Sequence, residues 1–234
     1  ACEFVLPFPA AFDEIARIHT HSAAEAAGWS SVTLLEEQQA AFYNWIAAAG
    51  DEWRDQVAIG DVVLVCDIGG GTADFSLIAV SQQQGQLELE RISVGDHLLL
   101  GGDNMDLALA YTLKAELEGQ GKKIDHQQLL SLVHACRLGK EKLFSEPKLD
   151  NYPISLPNRG SGFFSRAISV NLSRSTIERV LLEGFFPLSR IDEQPARKRQ
   201  SGLREFGLDY AADPALSKHL AEFLTRSWQN IHSY

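Results

Sequence analysis

The sequence predicts an α/β fold, and three observations carry that prediction. Two short β-branched apolar runs, Val62 to Cys66 and Phe75 to Val80, are bounded by turn residues in the manner of buried strands. Other segments repeat their apolar residues at helical spacing, most regularly Leu129, Leu132, Val133, Cys136 and Leu143. A third kind of run, Leu87-Glu88-Leu89-Glu90-Arg91-Ile92, alternates with the period of a half-exposed strand.

Taken in order, Phe4-Val5-Leu6 reads as a strand that ends in the rigid corner Pro7-Phe8-Pro9. Phe12, Ile15, Ala16, His19, Ala23, Ala26 and Ala27 then share one helical face, with Gly28 as the stop and His19 expected as a packed core histidine. Val32 to Leu35 is a strand leading into a helix from Glu36 through Trp45 toward Gly50, and Gly50 to Gly60 is a polar connector. The two apolar runs around Gly69-Gly70-Gly71 form a hairpin, and the strand after the Gln82 to Gln86 turn extends it into a meander. Asp103 is expected to cap a helix whose i+4 row is Met105, Leu109, Leu113 and Leu117.

After a loop from Gly119 to Asp125 comes the most regular helix, with Lys140 in its apolar row. A lysine there either snorkels from a packed edge or points at a ligand. Tyr152 to Leu156 and Phe163 to Val170 make a hairpin around Pro157-Asn158-Arg159-Gly160. Ser175-Thr176-Ile177-Glu178 reads as a capping box opening a helix from Ile177 to Phe186, which Pro187 ends. Arg190 to Arg204 is a polar loop with a short basic centre, and Asp213-Pro214 starts a last helix with Leu216, Leu220, Phe223 and Leu224 inward.

At 234 residues the chain is long enough for one large domain or two small ones, and its 45% apolar and 22% charged content is that of a globular protein. A net charge of -10 argues against nucleic-acid binding, which needs cationic surface to displace counterions. No apolar run approaches transmembrane length, so no membrane role is expected. Cys2, Cys66 and Cys136 lack metal-ligand spacing and are read as buried, reduced thiols of a cytoplasmic protein. The N-terminus, Ala1 to Pro7, has no starting Met and no signal pattern, and it opens in mid-strand, so an excised piece of a longer chain is expected.

The most specific stretch is Asp67-Ile68-Gly69-Gly70-Gly71-Thr72-Ala73-Asp74 at the hairpin tip. Three glycines permit positive φ and close approach of bare backbone to a ligand, and successive N–H groups form a concavity that suits phosphate. Thr72 adds a hydroxyl. Two carboxylates beside such a cradle make sense with a divalent cation between them, since magnesium is held by one or two carboxylates, waters and phosphate oxygens. The other reading is a tight turn with solvated aspartates. A second glycine pair, Gly101-Gly102, runs into a helix start, which is either another anion site or a simple strand-to-helix turn.

The hairpin string resembles the second phosphate-binding motif of the actin-like ATPase superfamily, and most closely the seventy-kilodalton heat-shock chaperones of the DnaK type, whose usual form is Asp-Leu-Gly-Gly-Gly-Thr-Phe-Asp. Phe8-Pro9-Ala10-Ala11-Phe12 is similar to the chaperone Val-Pro-Ala-Tyr-Phe, and Glu37-Gln38-Gln39-Ala40-Ala41 to the chaperone Glu-Pro-Thr-Ala-Ala, with Gln38 in place of the proline. Gly95-Asp96 to Gly101-Gly102-Asp103-Asn104-Met105-Asp106 resembles Gly-Asp-Thr-His-Leu-Gly-Gly-Glu-Asp-Phe-Asp, with one more residue between the Gly-Asp and Gly-Gly pairs. The pattern of the Ser175 to Glu178 capping box and its helix resembles the chaperone return from the outer subdomain, Ile-Thr-Arg followed by a helix. On the adenosine helix Lys140 matches the family lysine, while Arg137, Glu141 and Phe144 stand at the usual glutamate, arginine and serine.

The resemblance implies a partial actin-like, ribonuclease H-like fold, with a mixed sheet flanked by helices and a smaller α+β subdomain. It places residues 1–58 at the end of a first lobe, 59–102 and 173–234 in the core of a second, and 103–172 in an outer subdomain. It implies ATP or ADP with magnesium as cofactors. Gly69, Gly70, Gly71, Thr72, Gly101, Gly102 and Lys140 would hold nucleotide, Asp67 and Asp74 would hold magnesium through water, and Glu37, Asp67 and Asp74 would serve catalysis. Protein clients and cochaperones are implied for the intact protein. The family's first phosphate motif, Asp-x-Gly-Thr, and its second adenosine motif, Gly-Gly-x-x-Arg, do not occur in these residues, so the piece alone is expected to bind Mg-ATP weakly without turning it over. Two alternatives stay open: a sugar or carboxylate kinase or exopolyphosphatase of the same superfamily, and a degenerate nucleotide-binding interaction module.

Overall fold

A computed structural model describes residues 3–9, 12–29, 31–83, 86–157, 167–197 and 211–232. The chain divides into two compact units, Ala1–Leu98 with Glu222–Tyr234, and Leu99–Ala221.

The first unit opens with β1 (Phe4–Phe8) and β2 (Val32–Glu36), which pair in parallel across α1 (Glu14–Ala26). Asp13 caps α1 by accepting the Ala16 N–H at 2.8 Å, and Gly28 leaves the helix with φ 92°. Two expectations are corrected here. The strand does not stop at Pro7 but runs through it, because β1 has a single partner strand among the described residues and the missing N–H costs no ladder bond on its other edge. His19 is exposed rather than packed, because the inward row of α1 is Ala16, Thr20 and Ala24, small side chains that let the helix lie close to the strands.

α2 (Glu37–Ala49) follows β2 without a loop. Gly50 takes φ 59°, and the stretch expected as a plain connector instead folds as a 3-10 turn, Gly50–Glu52, and a helical turn, α3 (Trp53–Gln56), with Trp53 buried. β3 (Val62–Ile68), β4 (Ala73–Gln83) and β5 (Gln86–Val94) form the expected antiparallel meander in the order β3-β4-β5. The central strand β4 is buried without interruption from Ala73 to Val80. β3 lies at an edge and exposes Leu64, Cys66 and Ile68 on alternate positions, so Cys66 is not the buried thiol expected from its apolar run. Phe223 stacks on Phe75 with 6.0 Å between ring centroids, and Gly95 permits this, since a Cβ there would lie 3.3 Å from both the Phe223 ring and the Phe75 carbonyl.

In the second unit, α4 (Gly102–Gly119) and α5 (His126–Ser145) pack on each other, with the expected row Met105, Leu109, Leu113 and Leu117 buried on α4 and Leu132, Cys136 and Leu143 buried on α5. Gly101, not Asp103, is the cap of α4, and Asn104 Oδ1 reaches back to accept the Gly101 N–H at 2.8 Å. Asp103 sits in the first turn, where its charge suits the helix dipole. Asp125 and Gln128 form a reciprocal capping box on α5.

β6 (Asn151–Leu156) and β7 (Ile168–Ser173) pair antiparallel and bury Ile154, Leu156, Ile168, Val170 and Leu172. The turn expected at Asn158-Arg159-Gly160, like Lys198 and Arg199 of the basic centre, lies outside the described residues. β7 runs straight into α6 (Arg174–Ile177), so the cap is Ser173 rather than Ser175. Its hydroxyl accepts the Thr176 N–H at 3.1 Å. A π turn, Glu178–Leu182, and α7 (Glu183–Phe185) complete this helix. One guanidinium nitrogen of Arg174 lies 2.7 to 2.9 Å from the carbonyls of Leu143, Glu146 and Leu149, which share its two N–H groups and close the C-terminal end of α5.

α8 (Leu216–Arg226) begins after Asp213, whose carboxylate accepts the Ala196 and Ala215 N–H groups and the Lys218 ammonium. The division between units falls within α8, and the short α9 (Trp228–Ile231) follows. Among the described residues no helix is long and apolar enough to cross a membrane.

Candidate functional site

Strand register builds the site at the hairpin tip. Asp67 and Asp74 are direct partners in the β3–β4 ladder, and the Gly69 N–H donates to the Thr72 carbonyl at 2.8 Å, leaving Gly70-Gly71 as the turn. Period-two alternation sets Asp67 of β3 and Asp74 of β4 on the same face of the ladder, with Gly69 and Thr72 just beyond the two strand ends. Positive φ was expected of the triplet, but neither Gly69 nor Gly71 has it. A Cβ on Gly71 would meet nothing within 4 Å. Neither backbone conformation nor packing therefore demands glycine at 71, whereas a ligand that must reach bare N–H groups would.

Asp74 is buried and Asp67 half-buried. The segment after β5 folds back against the hairpin through three backbone bonds, Gly95 N–H to Phe75 carbonyl at 2.8 Å and a reciprocal pair between Ala73 and Leu98 at 2.9 and 3.2 Å. These bonds flank Asp74 and bring His97 Nδ1 within 2.8 Å of its Oδ1.

Glu37 opens α2 beside these groups. Partial burial pushes its carboxyl above the usual range, the charges of Asp67 and Asp74 push it further, and His97 opposes them. The structure thus brings Glu37, Asp67, Asp74 and the glycine tip together in the first unit. The sequence reading assigned no role to His97, or to Glu36, which is buried and ion-paired with Arg91 and, at 3.4 Å, with Arg17. Two adjacent glutamates at a strand end were the available signal for Glu36. Gln38, at the family's proline position, is wholly buried, and neither polar atom of its amide has a hydrogen-bond partner.

Gly101, Gly102 and Lys140 belong to the second unit. Lys140 Nζ lies 2.7 Å from Asp106 Oδ1 and 3.4 Å from the Gly102 carbonyl, so the lysine in the apolar row points inward to a buried carboxylate. Burial raises the Asp106 pKa more than Lys140 lowers it. Arg137 and Glu141 pair with each other at 3.2 Å on the exposed side of α5, and Phe144 is exposed.

The first-unit residues fit a metal-bound polyphosphate: an open glycine tip with room for backbone donors, and an opposed carboxylate pair on one face. Among the described residues no group of three or more His, Cys, Asp or Glu is arranged to hold a metal by itself. Two carboxylates are enough for magnesium when phosphate and water supply its other oxygens.

Comparison with known proteins gives the class and then the family. The described architecture is α/β, and a family model described as Hsp70 protein matches residues 2–186. The chain belongs to the Hsp70 family, whose ATPase domain has the actin-like fold expected from the hairpin string. It is 30% identical over 195 residues to the "Chaperone protein HscA homolog" of Acinetobacter baylyi, a match covering 81% of this chain and 29% of that protein. It is 36% identical over 137 residues to the "Chaperone protein HscA" of Photorhabdus laumondii, covering 57% of this chain and 20% of the relative. The matched chain thus spans less than a third of these curated relatives.

Proposed function

We propose that this chain is part of the nucleotide-binding domain of a chaperone-like ATPase and binds Mg-ATP and Mg-ADP through the hairpin tip. The observation that carries the reading is the Asp67 and Asp74 pair facing across the ladder beside a glycine tip that the fold itself does not require. Gly69 to Thr72 would cradle phosphate and Asp67 and Asp74 would hold magnesium through its waters, while in the intact protein Glu37 would help orient the attacking water. Bound magnesium supplies charge neutralisation. Residues 1–58 are the end of a first lobe, 59–102 and 173–234 the core of a second, and 103–172 its outer subdomain. In the intact protein the same reading implies ATP-driven remodelling of protein clients with cochaperones, in the cytoplasm.

Phosphoryl transfer depends on positioning and charge neutralisation from several loops. With one of the family's two phosphate motifs in these residues, the chain binds nucleotide weakly and does not turn it over. Calorimetry of the purified chain with ATP and ADP, with and without magnesium, tests this. Magnesium-dependent binding that is lost in Asp67→Asn is expected, and no binding would overturn the reading. Steady-state hydrolysis abolished by Asp67→Ala would overturn the proposed inactivity.

One observation favours a second reading, a degenerate module that has lost its nucleoside contacts. Lys140 is engaged by Asp106, and Arg137 by Glu141. If adenosine, AMP and inorganic triphosphate compete with ATP in proportion to phosphate number alone, this second reading holds for the nucleoside contacts.

A further inference from the structure

We infer that His97 is a positioning residue for Asp74, fixing which carboxylate oxygen is left for the metal side of the phosphate site. The inference rests on the nucleotide-binding reading above and adds to it a residue that acts through another. Its basis is local geometry. An ionised carboxylate only accepts hydrogen bonds, so His97 Nδ1 donates to Asp74 Oδ1 at 2.8 Å. Asp74 is only 7% exposed at its side chain and His97 31%, so the bond is shielded on the aspartate side and the imidazole is its visible partner.

Placement of the imidazole does not depend on its own bond. The Ala73–Leu98 bridge on one side and the Gly95 to Phe75 bond on the other fasten the His97 segment to residues directly flanking Asp74. Histidine is therefore delivered to the carboxylate by backbone pairing. With Oδ1 held, Oδ2 is the oxygen free to meet water or metal. Asp67, the cross-strand partner, and Glu37 are the other carboxylates near the imidazole. A residue that holds a ligand's second oxygen sets its direction and basicity, and removing such a partner typically lowers metal affinity about 10-fold to 100-fold.

The test is a magnesium titration of ATP binding to the whole chain, comparing the unsubstituted protein with His97→Ala and His97→Asn. The amide nitrogen of asparagine replaces Nδ1 as donor. In His97→Ala the magnesium concentration at half-maximal binding is expected to rise at least about 10-fold, while ATP affinity at saturating magnesium stays within about twofold. His97→Asn is expected to restore most of the shift. Equal loss at all magnesium concentrations, or no shift in either variant, would overturn the positioning role. If the unsubstituted chain shows no magnesium-dependent ATP binding, the nucleotide-binding reading fails and this inference falls with it. Circular dichroism checks folding. Should His97→Ala not fold, His97→Asn against His97→Leu, which fills similar volume without a donor, decides the question.

Discussion

The ammonium of Lys140 on α5 lies 2.7 Å from the Asp106 carboxylate on α4, with 14% and 4% of the two side chains exposed. Breaking such a pair from one side leaves a charge buried without its partner. Lys140→Met is therefore expected to cost about 3 kcal/mol of stability, whereas Lys140→Met with Asp106→Leu is expected to cost much less than the sum of the single changes. Urea unfolding of the three variants measures this. Additive losses would show that the pair is not coupled.

Two glycines should respond in opposite ways to alanine. A Cβ on Gly139 would lie 2.8 Å from Tyr152 Cδ1 and 2.9 Å from Leu172 Cδ2, so Gly139→Ala overpacks the helix against the hairpin and is expected to cost about 1–3 kcal/mol. A Cβ on Gly71 meets nothing, and its φ is not left-handed. Gly71→Ala is expected to leave stability within about 1 kcal/mol of the parent while weakening ATP binding. Melting temperature and calorimetric affinity, read together, separate the two.

Gln38 buries an amide with no partner for either polar atom. Each such group carries a desolvation penalty of about 1–3 kcal/mol. Gln38→Met keeps the volume, removes both groups, and is expected to raise the urea midpoint. A lower midpoint would show that the amide is satisfied in solution.

Asp213 gives the chain an acid-sensitive joint. Burial raises its pKa, but hydrogen bonds from Ala196, Ala215 and Lys218 outweigh this and bring it below 3.8. A folded-state pKa below the unfolded one means that the stabilisation is fully present above pH 3.8 and is lost as pH falls through the lowered value. Asp213→Asn is expected to cost about 1–2 kcal/mol at neutral pH and to flatten the acid limb of the stability curve. Thermal melts from pH 7 down to pH 2 read both effects.

The two described cysteines should differ in reactivity. Burial, aided by the Asp106 charge, pushes the Cys136 thiol up to about 12, while Cys66 is exposed at a sheet edge. Alkylation of the native chain followed by mass spectrometry is expected to label Cys66 and to reach Cys136 only in denaturant.

Much of this protein was legible in its sequence because the signals are local. The row Met105, Leu109, Leu113 and Leu117, the meander of β3 to β5 and the glycine string all follow from the period of a helix or strand and from turn chemistry, which act over a few residues. Tertiary placement decided what periodicity leaves free. The apolar run of β3 reads as buried on both faces, yet it lies at a sheet edge and exposes Cys66. Helix α1 turns Ala24 rather than His19 inward, because close packing on the strands favours the smaller row. Lys140 in an apolar stripe allowed either a snorkelling edge or a ligand contact, and the chain resolved it with a buried carboxylate from another helix, 34 positions earlier by the numbering of Asp106 and Lys140. For His97 the available signal was the histidine in the resembling string Gly-Asp-Thr-His-Leu-Gly-Gly, and the backbone bonds that fold its segment onto Ala73 and Phe75 bring it to Asp74.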